Sequence, residues 1–299
     1  MTDAHGYLTH VLDLLEKEAL NRSRVDWPAL RERLASELPA TGSTAETYPA
    51  IRAAIAALDD PHTFLLTPED VAGAFGEDAV RDAPMPAGRL VAGRFALIQL
   101  PETPGVEEAD ERYVRAGAGI VRELDGHRPD GWIVDLRGNT GGNMYPMMTV
   151  LAPLLGDGVL GSFVNADGEH DGRWILRDGV VHQDETPLSP LPNPYRLARP
   201  GPPIAILTDG DTMSAAEATL IAFLGLPGVR TFGQPTGGFA TGNAALELSD
   251  GAMLVLTAVR EADRLGRLYG NEPIPPDQPV PPGADALTAA TTWLSTGPA

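Results

Sequence analysis

The chain has 299 residues, 43% of them hydrophobic and 21% charged, enough to bury the core of one large domain or two smaller ones. A net charge of −19 argues against nucleic-acid binding, which needs clustered Lys and Arg, and against adhesion to anionic membrane surfaces. Cysteine is absent, which removes disulfides, thiolate nucleophiles and cysteine-based zinc sites together.

The first residues lack a basic segment followed by an apolar one, and no run of eighteen apolar residues occurs anywhere, so a cytoplasmic protein without a membrane partner is expected. Apolar residues fall at helical spacing over 7–20 (Leu8, Val11, Leu12, Leu15) and 28–38 (Leu30, Leu34, Leu38), and a further helix is predicted over Ala50–Leu58. These form an N-terminal helical cap that ends at Asp59-Asp60-Pro61-His62. An acidic, poorly patterned stretch follows, and a domain boundary is placed near residue 85. The predicted division is therefore a cap over 1–85 and an α/β domain over 86–299.

Arg94–Leu100 reads as a strand and 107–125 as a helix. Gly131–Arg137 is a strand, buried until its polar end, and Asn139-Thr-Gly-Gly-Asn143 turns the chain into a helix over Tyr145–Leu155. The same order of strand, short turn and helix recurs at 203–224, which argues for helices layered on a sheet. Between the two, 158–182 carries hairpin turn chemistry at Ala166-Asp-Gly168 and Arg177-Asp-Gly179. Seven prolines in 184–203 mark an irregular connection. Strands follow near 229–233, 244–248 and 252–259, and a closing helix near 284–295.

One stretch carries the most chemistry: Gly210-Asp-Thr-Met-Ser214-Ala-Ala-Glu217, after the apolar run Pro203–Leu207. A serine that opens a helix lies beside backbone N–H groups with no intrahelical partner, where an oxyanion can be held. The bland alternative is an N-cap serine, and Glu217 three residues on equally suits a capping box. The Gly-x-Ser-x-Gly elbow of α/β-hydrolases is absent. Six histidines and one lysine, Lys17, limit the possible bases. His62 is chosen because a loop after a helix can hold it at a cleft edge, and its ordinary pKa near 6.5 suits proton abstraction at neutral pH. A surface-loop histidine is the competing reading. The Gly141 and Ala215 N–H groups are the candidate oxyanion hole, against a plain tight turn at Gly141-Gly142. Asp135 and Arg137 read as a structural ion pair. No metal-ligand spacing occurs, and no cofactor is implied.

Five segments in order resemble the superfamily of carboxy-terminal processing (tail-specific) peptidases and the core of tricorn protease. They are Asp135-Leu-Arg-Gly-Asn-Thr-Gly-Gly142, Thr212-Met-Ser-Ala-Ala-Glu217, Phe232-Gly-Gln-Pro-Thr-Gly-Gly238, Leu248-Ser-Asp-Gly251 and Ile274-Pro-Pro-Asp277. The resemblance spans about residues 50–280. It implies a crotonase-like α/β core with an N-terminal helical cap, and a serine peptidase acting through an acyl-enzyme. The lysine base of the processing peptidases is missing, since Phe239 stands at its position. The tricorn-like branch takes a histidine from a segment similar to Leu58–His62. It also uses a late glutamate, for which Glu272 is the nearest match and Asp60 the runner-up. The short span between His62 and Arg94 leaves no room for a PDZ domain. Peptides are the expected substrates. A small ester, thioester or lactone is the alternative, and a non-catalytic ligand-binding relative is a third.

Overall fold

Helical spacing of apolar residues near the N-terminus gives three helices, Ala4–Glu18, Trp27–Glu37 and Tyr48–Ala57. The computed structural model describes residues 4–38, 42–281 and 283–297. The chain divides into a first unit of Met1–Gly76, Val164–Glu169 and Thr241–Arg260, and a second of Glu77–Phe163, His170–Ala240 and Glu261–Ala299. The division is thus not a single cut near residue 85: residues from late in the chain belong with the helices.

In the first unit the Asp26 side chain caps the second helix by accepting from the Ala29 N–H, with Pro28 in its first turn. The helices bury Leu8, Val11, Leu15, Leu34 and Ile51 against Leu254 and Leu256 of a β-hairpin. Each such side chain contributes roughly 1.5–3 kcal/mol on leaving water. The hairpin joins Thr241–Glu247 to the strand Met253–Asp263, and Phe64–Leu66 pairs antiparallel with Met253–Val255. At its turn Asp250 accepts the hydroxyls of Tyr7 and Tyr48, both at 2.7 Å. The helices therefore need the hairpin to complete their core.

The second unit is built on a six-stranded sheet in the order Gln278–Pro279, Val229–Gly233, Ile204–Thr208, Gly131–Asp135, Phe95–Gln99, Ala87–Val91. The first five run parallel and the last is antiparallel to its neighbour. Alternation along the strands separates two cores, as a sheet covered on both faces requires. Ala96, Ile98, Trp132, Val134 and Ile206 pack with residues of the helices Glu107–Gly126, Met144–Val150 and Ala215–Ile221. Phe95, Leu97, Ile133, Ala205 and Leu207 pack on the closing helix Ala286–Thr296. Parallel pairing of Val134 with Ile206 aligns the ends of two neighbouring strands, so the turns that follow them meet.

Two local differences from the expected elements have plain causes. The helix predicted over Tyr145–Leu155 is two pieces, Met144–Val150 and Ala152–Leu155, because Pro153 supplies no N–H to continue the first. The acidic stretch holds helices at Pro68–Phe75 and Glu77–Asp82, the former opened by a Thr67–Asp70 capping box with Pro68 in its first turn.

Candidate active site

Ser214 stands between the Ile204–Thr208 strand and the Ala215–Ile221 helix, with φ +52° and ψ −118°. A non-glycine residue at positive φ carries strain of order 1–3 kcal/mol and persists only where its surroundings enforce it. Here the enforcing group is Glu217. Its Oε2 accepts the Ser214 N–H at 3.0 Å and the Phe239 N–H at 2.7 Å. Its Oε1 accepts the Thr236 hydroxyl at 2.5 Å and the Gly238 N–H at 3.1 Å. Burial raises the pKa of this carboxyl, and the four donors oppose that shift. Glu217 thus closes the N-terminus of its helix as expected, and it also ties the serine to the 236–239 turn.

Asn139 joins the two post-strand turns. Its Nδ2 donates to the Leu100 carbonyl, its Oδ1 accepts the Gly141 N–H at 2.9 Å, and its own carbonyl accepts the Met213 N–H at 3.0 Å. Gly141 and Gly142 have φ of +111° and +100°. A Cβ on Gly141 would lie 2.8 Å from Ser214 Cβ and 3.2 Å from the Ala215 nitrogen, so only glycine brings this turn against the serine. The N–H of Gly141, expected in the oxyanion hole, donates to Asn139 Oδ1 in this structure. Among the described residues, the N–H groups of Gly142 and Ala215 have no hydrogen-bond partner.

A brace holds this glycine turn from outside. The Thr103 N–H donates to the Gly141 carbonyl at 3.2 Å, and the Thr103 hydroxyl donates to Asp110. Asp110 also accepts from Asn143 Nδ2 at 2.8 Å, immediately after the glycines. Asp135 and Arg137 form the structural pair expected of them, bidentate at 2.8 and 2.7 Å.

His62 belongs to the first unit. It is buried, and its Nδ1 lies 2.7 Å from Thr241 Oγ1. Asp60 holds the loop, accepting the His62 N–H at 3.2 Å and the Thr63 hydroxyl at 2.5 Å. Burial pushes the imidazole pKa down to about 4, against the smaller opposing pull of Asp60. The ring is therefore neutral at pH 7, as a proton acceptor must be. Glu272 is exposed and makes no hydrogen bond or ion pair among the described residues. Within the first unit the ring is met by the Thr241 hydroxyl, a residue without a sequence signal of its own. No group of three or more His, Asp or Glu among the described residues could hold a metal ion.

A parallel-stranded α/β unit with a strained serine at a strand-to-helix turn is the framework of a serine-type peptidase, and comparison with known proteins gives that class. The family follows from the sequence: the model of peptidase family S41 matches residues 96–280, and the chain belongs to that family. The nisin-resistance protein of Lactococcus lactis subsp. lactis is 27% identical over 288 residues, covering 96% of this chain and 86% of the relative. A lipoprotein structure from Streptococcus agalactiae superposes with a TM-score of 0.83 at 28% identity, over 99% of this chain and 97% of that one. The photosystem II D1 C-terminal processing protease shares the fold, with a TM-score of 0.69 at 16% identity over 99% and 98% of the two chains. The expected resemblance to processing peptidases and the crotonase-like core are thereby borne out. No helix among the described residues is long and apolar enough to cross a membrane.

Proposed function

We propose that the protein cleaves peptide bonds through an acyl-enzyme on Ser214, with His62 as general base in place of the lysine of the processing peptidases. The observation that carries this reading is the strained backbone of Ser214, held by Glu217 beside the unpartnered N–H groups of Ala215 and Gly142. Strain at a single serine next to two open donors is the arrangement a nucleophile needs. In the proposed reaction His62 takes the hydroxyl proton, Ser214 Oγ attacks the peptide carbonyl, and the Ala215 and Gly142 amides hold the oxyanion. His62 then gives the proton to the departing amine, and water releases the acyl group by the same steps. Nδ1 is taken by Thr241, so proton transfer falls to Nε2. Thr241 takes the orienting role for which Glu272 had been the nearest match.

The net charge of −19 favours encounter with basic peptides over acidic ones. One relative is named for resistance to nisin, which makes nisin the first peptide to test. The cytoplasmic location expected from the sequence draws no support from relatives of which one is named a lipoprotein.

Labelling with a fluorophosphonate probe tests the nucleophile. Wild-type protein is expected to label and Ser214→Ala to be silent; full labelling of the alanine variant removes the reading. A peptide panel run beside p-nitrophenyl esters then separates peptidase from esterase: ester turnover with every peptide left intact favours the second.

A further inference from the structure

The Glu261 side chain plays no part in the chemistry above, yet it is 2% exposed within the same unit as Ser214. Its place is fixed by its backbone: its N–H donates to the Ala240 carbonyl, and its carbonyl accepts the Tyr269 N–H at 2.8 Å. Ala240 directly follows Phe239, whose N–H is held by Glu217. Two buried glutamates are therefore tied to one short stretch, Glu217 through its carboxylate at the Phe239 N–H and Glu261 through its backbone N–H at the Ala240 carbonyl.

Their surroundings differ sharply. Glu217 receives four donors, whereas the Glu261 carboxyl accepts no hydrogen bond from any described residue, and its Oε2 is fully enclosed. A buried carboxylate without a donor is far more costly than a buried carboxylic acid. A pair of neighbouring buried carboxyls can hold one negative charge, and it settles where the donors are. We propose that Glu261 carries a proton and acts as a positioning residue for Ser214: neutral, it lets Glu217 stay ionised and hold the Ser214 and Phe239 amides. If Glu261 ionises, repulsion between the two carboxylates loosens the 236–239 turn and the serine with it.

The charged and titratable groups around Glu261 are few. Burial raises the Glu261 pKa most, and the charge of Glu217, on the Ala215–Ile221 helix, raises it further. Tyr145, in the Met144–Val150 helix, donates its hydroxyl to Gln183 Oε1, and burial raises its pKa, with a further electrostatic push from Glu261 when that carboxyl is ionised. Tyr269, on the strand-end loop, gives its hydroxyl to Asp263, and burial likewise raises it.

The inference rests on the proposed role of Ser214, and two readouts keep the two separable. The first is the rate of fluorophosphonate labelling from pH 5 to 10. The second, independent of any activity, is the amide shift of Phe239 in protein labelled with [15N]phenylalanine. Wild-type protein is expected to show an alkaline step at one midpoint in both. Glu261→Ala, uncharged but much smaller, should lower the labelling rate at pH 7 by about tenfold or more, because the cavity it leaves lets the turn relax and the serine with it. Glu261→Gln, neutral at every pH and of the same shape, should restore that rate and remove the step from both profiles. A step that survives at the same midpoint in Glu261→Gln, or a wild-type Phe239 amide that does not titrate, overturns the proposal. If the wild-type protein does not label at any pH, the serine reading falls while the Phe239 titration still reports on Glu261.

Discussion

Gly141 presses against Ser214 so closely that a Cβ added to the glycine would sit 2.8 Å from the serine Cβ and 3.0 Å from the Met213 carbonyl oxygen. The turn after one strand thus shapes the space in front of the turn after the next. Gly141→Ala must either push the serine away or pull the glycine out of its φ of +111°. The expected result is a labelling rate about 100-fold below wild type. Gly138→Ala is the control, because Gly138 also has positive φ but no atom within 4 Å of its added Cβ. It should lose roughly 1 kcal/mol of stability and label normally. Wild-type labelling by Gly141→Ala would remove the steric claim.

If His62 is the general base, as proposed, its imidazole, pushed down to about 4, should set the acid limb of activity. The rate constant kcat/KM should hold nearly level from pH 7 to about 5 and fall as pH drops through about 4. The sign for stability is the same. The unfolded chain takes up a proton at this histidine below about 6.5, while the folded chain waits until about 4, so folding stability is lost as pH falls through that window. The contribution is on the order of 3 kcal/mol. An acid limb centred near pH 6.5 would show that the base lies in open water.

Thr241 tests how the ring is held. Thr241→Val keeps the volume and removes the hydroxyl that meets Nδ1 at 2.7 Å. The ring then loses its fixed tautomer, and kcat should fall about tenfold with KM little changed. Thr241→Ser should recover most of the rate. Equal rates for the valine and serine variants would leave the hydroxyl without a role.

Most of the framework could be read from the chain because parallel strands buried on both faces leave continuous apolar runs, as at Ile204–Thr208 and Gly131–Asp135. The serine and the glycine turn stand out for the same reason: each ends such a run. Thr241 could not be read, since a lone threonine at a strand start has no signature and its partner lies 179 residues away. Nor could which of the Gly141 and Gly142 N–H groups is engaged within the chain. It depends on where the Asn139 side chain points, and that is settled by Leu100 and the packing around it. The helices at 68–75 and 77–82 were hidden by weak periodicity, although Thr67-Pro68 with Asp70 was a readable start signal.

Asp250 links hairpin to helices in the first unit through Tyr7 and Tyr48. These donors, with the Ala252 N–H, outweigh partial burial and hold its carboxyl below the ordinary value. Its contribution is present above the unfolded pKa and fades as pH falls through the lower folded one. Asp250→Ala should cost about 1–3 kcal/mol in urea unfolding at pH 7. At a pH below both values the difference should shrink. A difference that does not change with pH would mean the two tyrosines bind a neutral group.

The brace at Asp110 gives the sharpest separation between holding the turn and doing chemistry. Asp110 accepts from Thr103 and Asn143 on either side of the Gly141-Gly142 turn, with burial raising its pKa and those donors opposing it. Asp110→Asn has nearly the same shape but turns one acceptor into a donor, so it either meets Asn143 Nδ2 with the wrong polarity or donates to the Thr103 hydroxyl and leaves that hydroxyl's proton without its partner. An unsatisfied buried group of this kind costs about 1–3 kcal/mol. The glycine turn should loosen, and the Gly142 N–H, the proposed oxyanion donor, should drift from its position. A fall in kcat of about tenfold is expected, since loss of a whole oxyanion donor costs more, roughly 100-fold to 1000-fold. The acid limb expected from the proposed base His62 should not move, because the substitution leaves that residue unchanged. If Asp110→Asn shifts that limb while leaving the plateau rate alone, the brace acts on the base and the assignment of the Gly142 amide to the oxyanion fails.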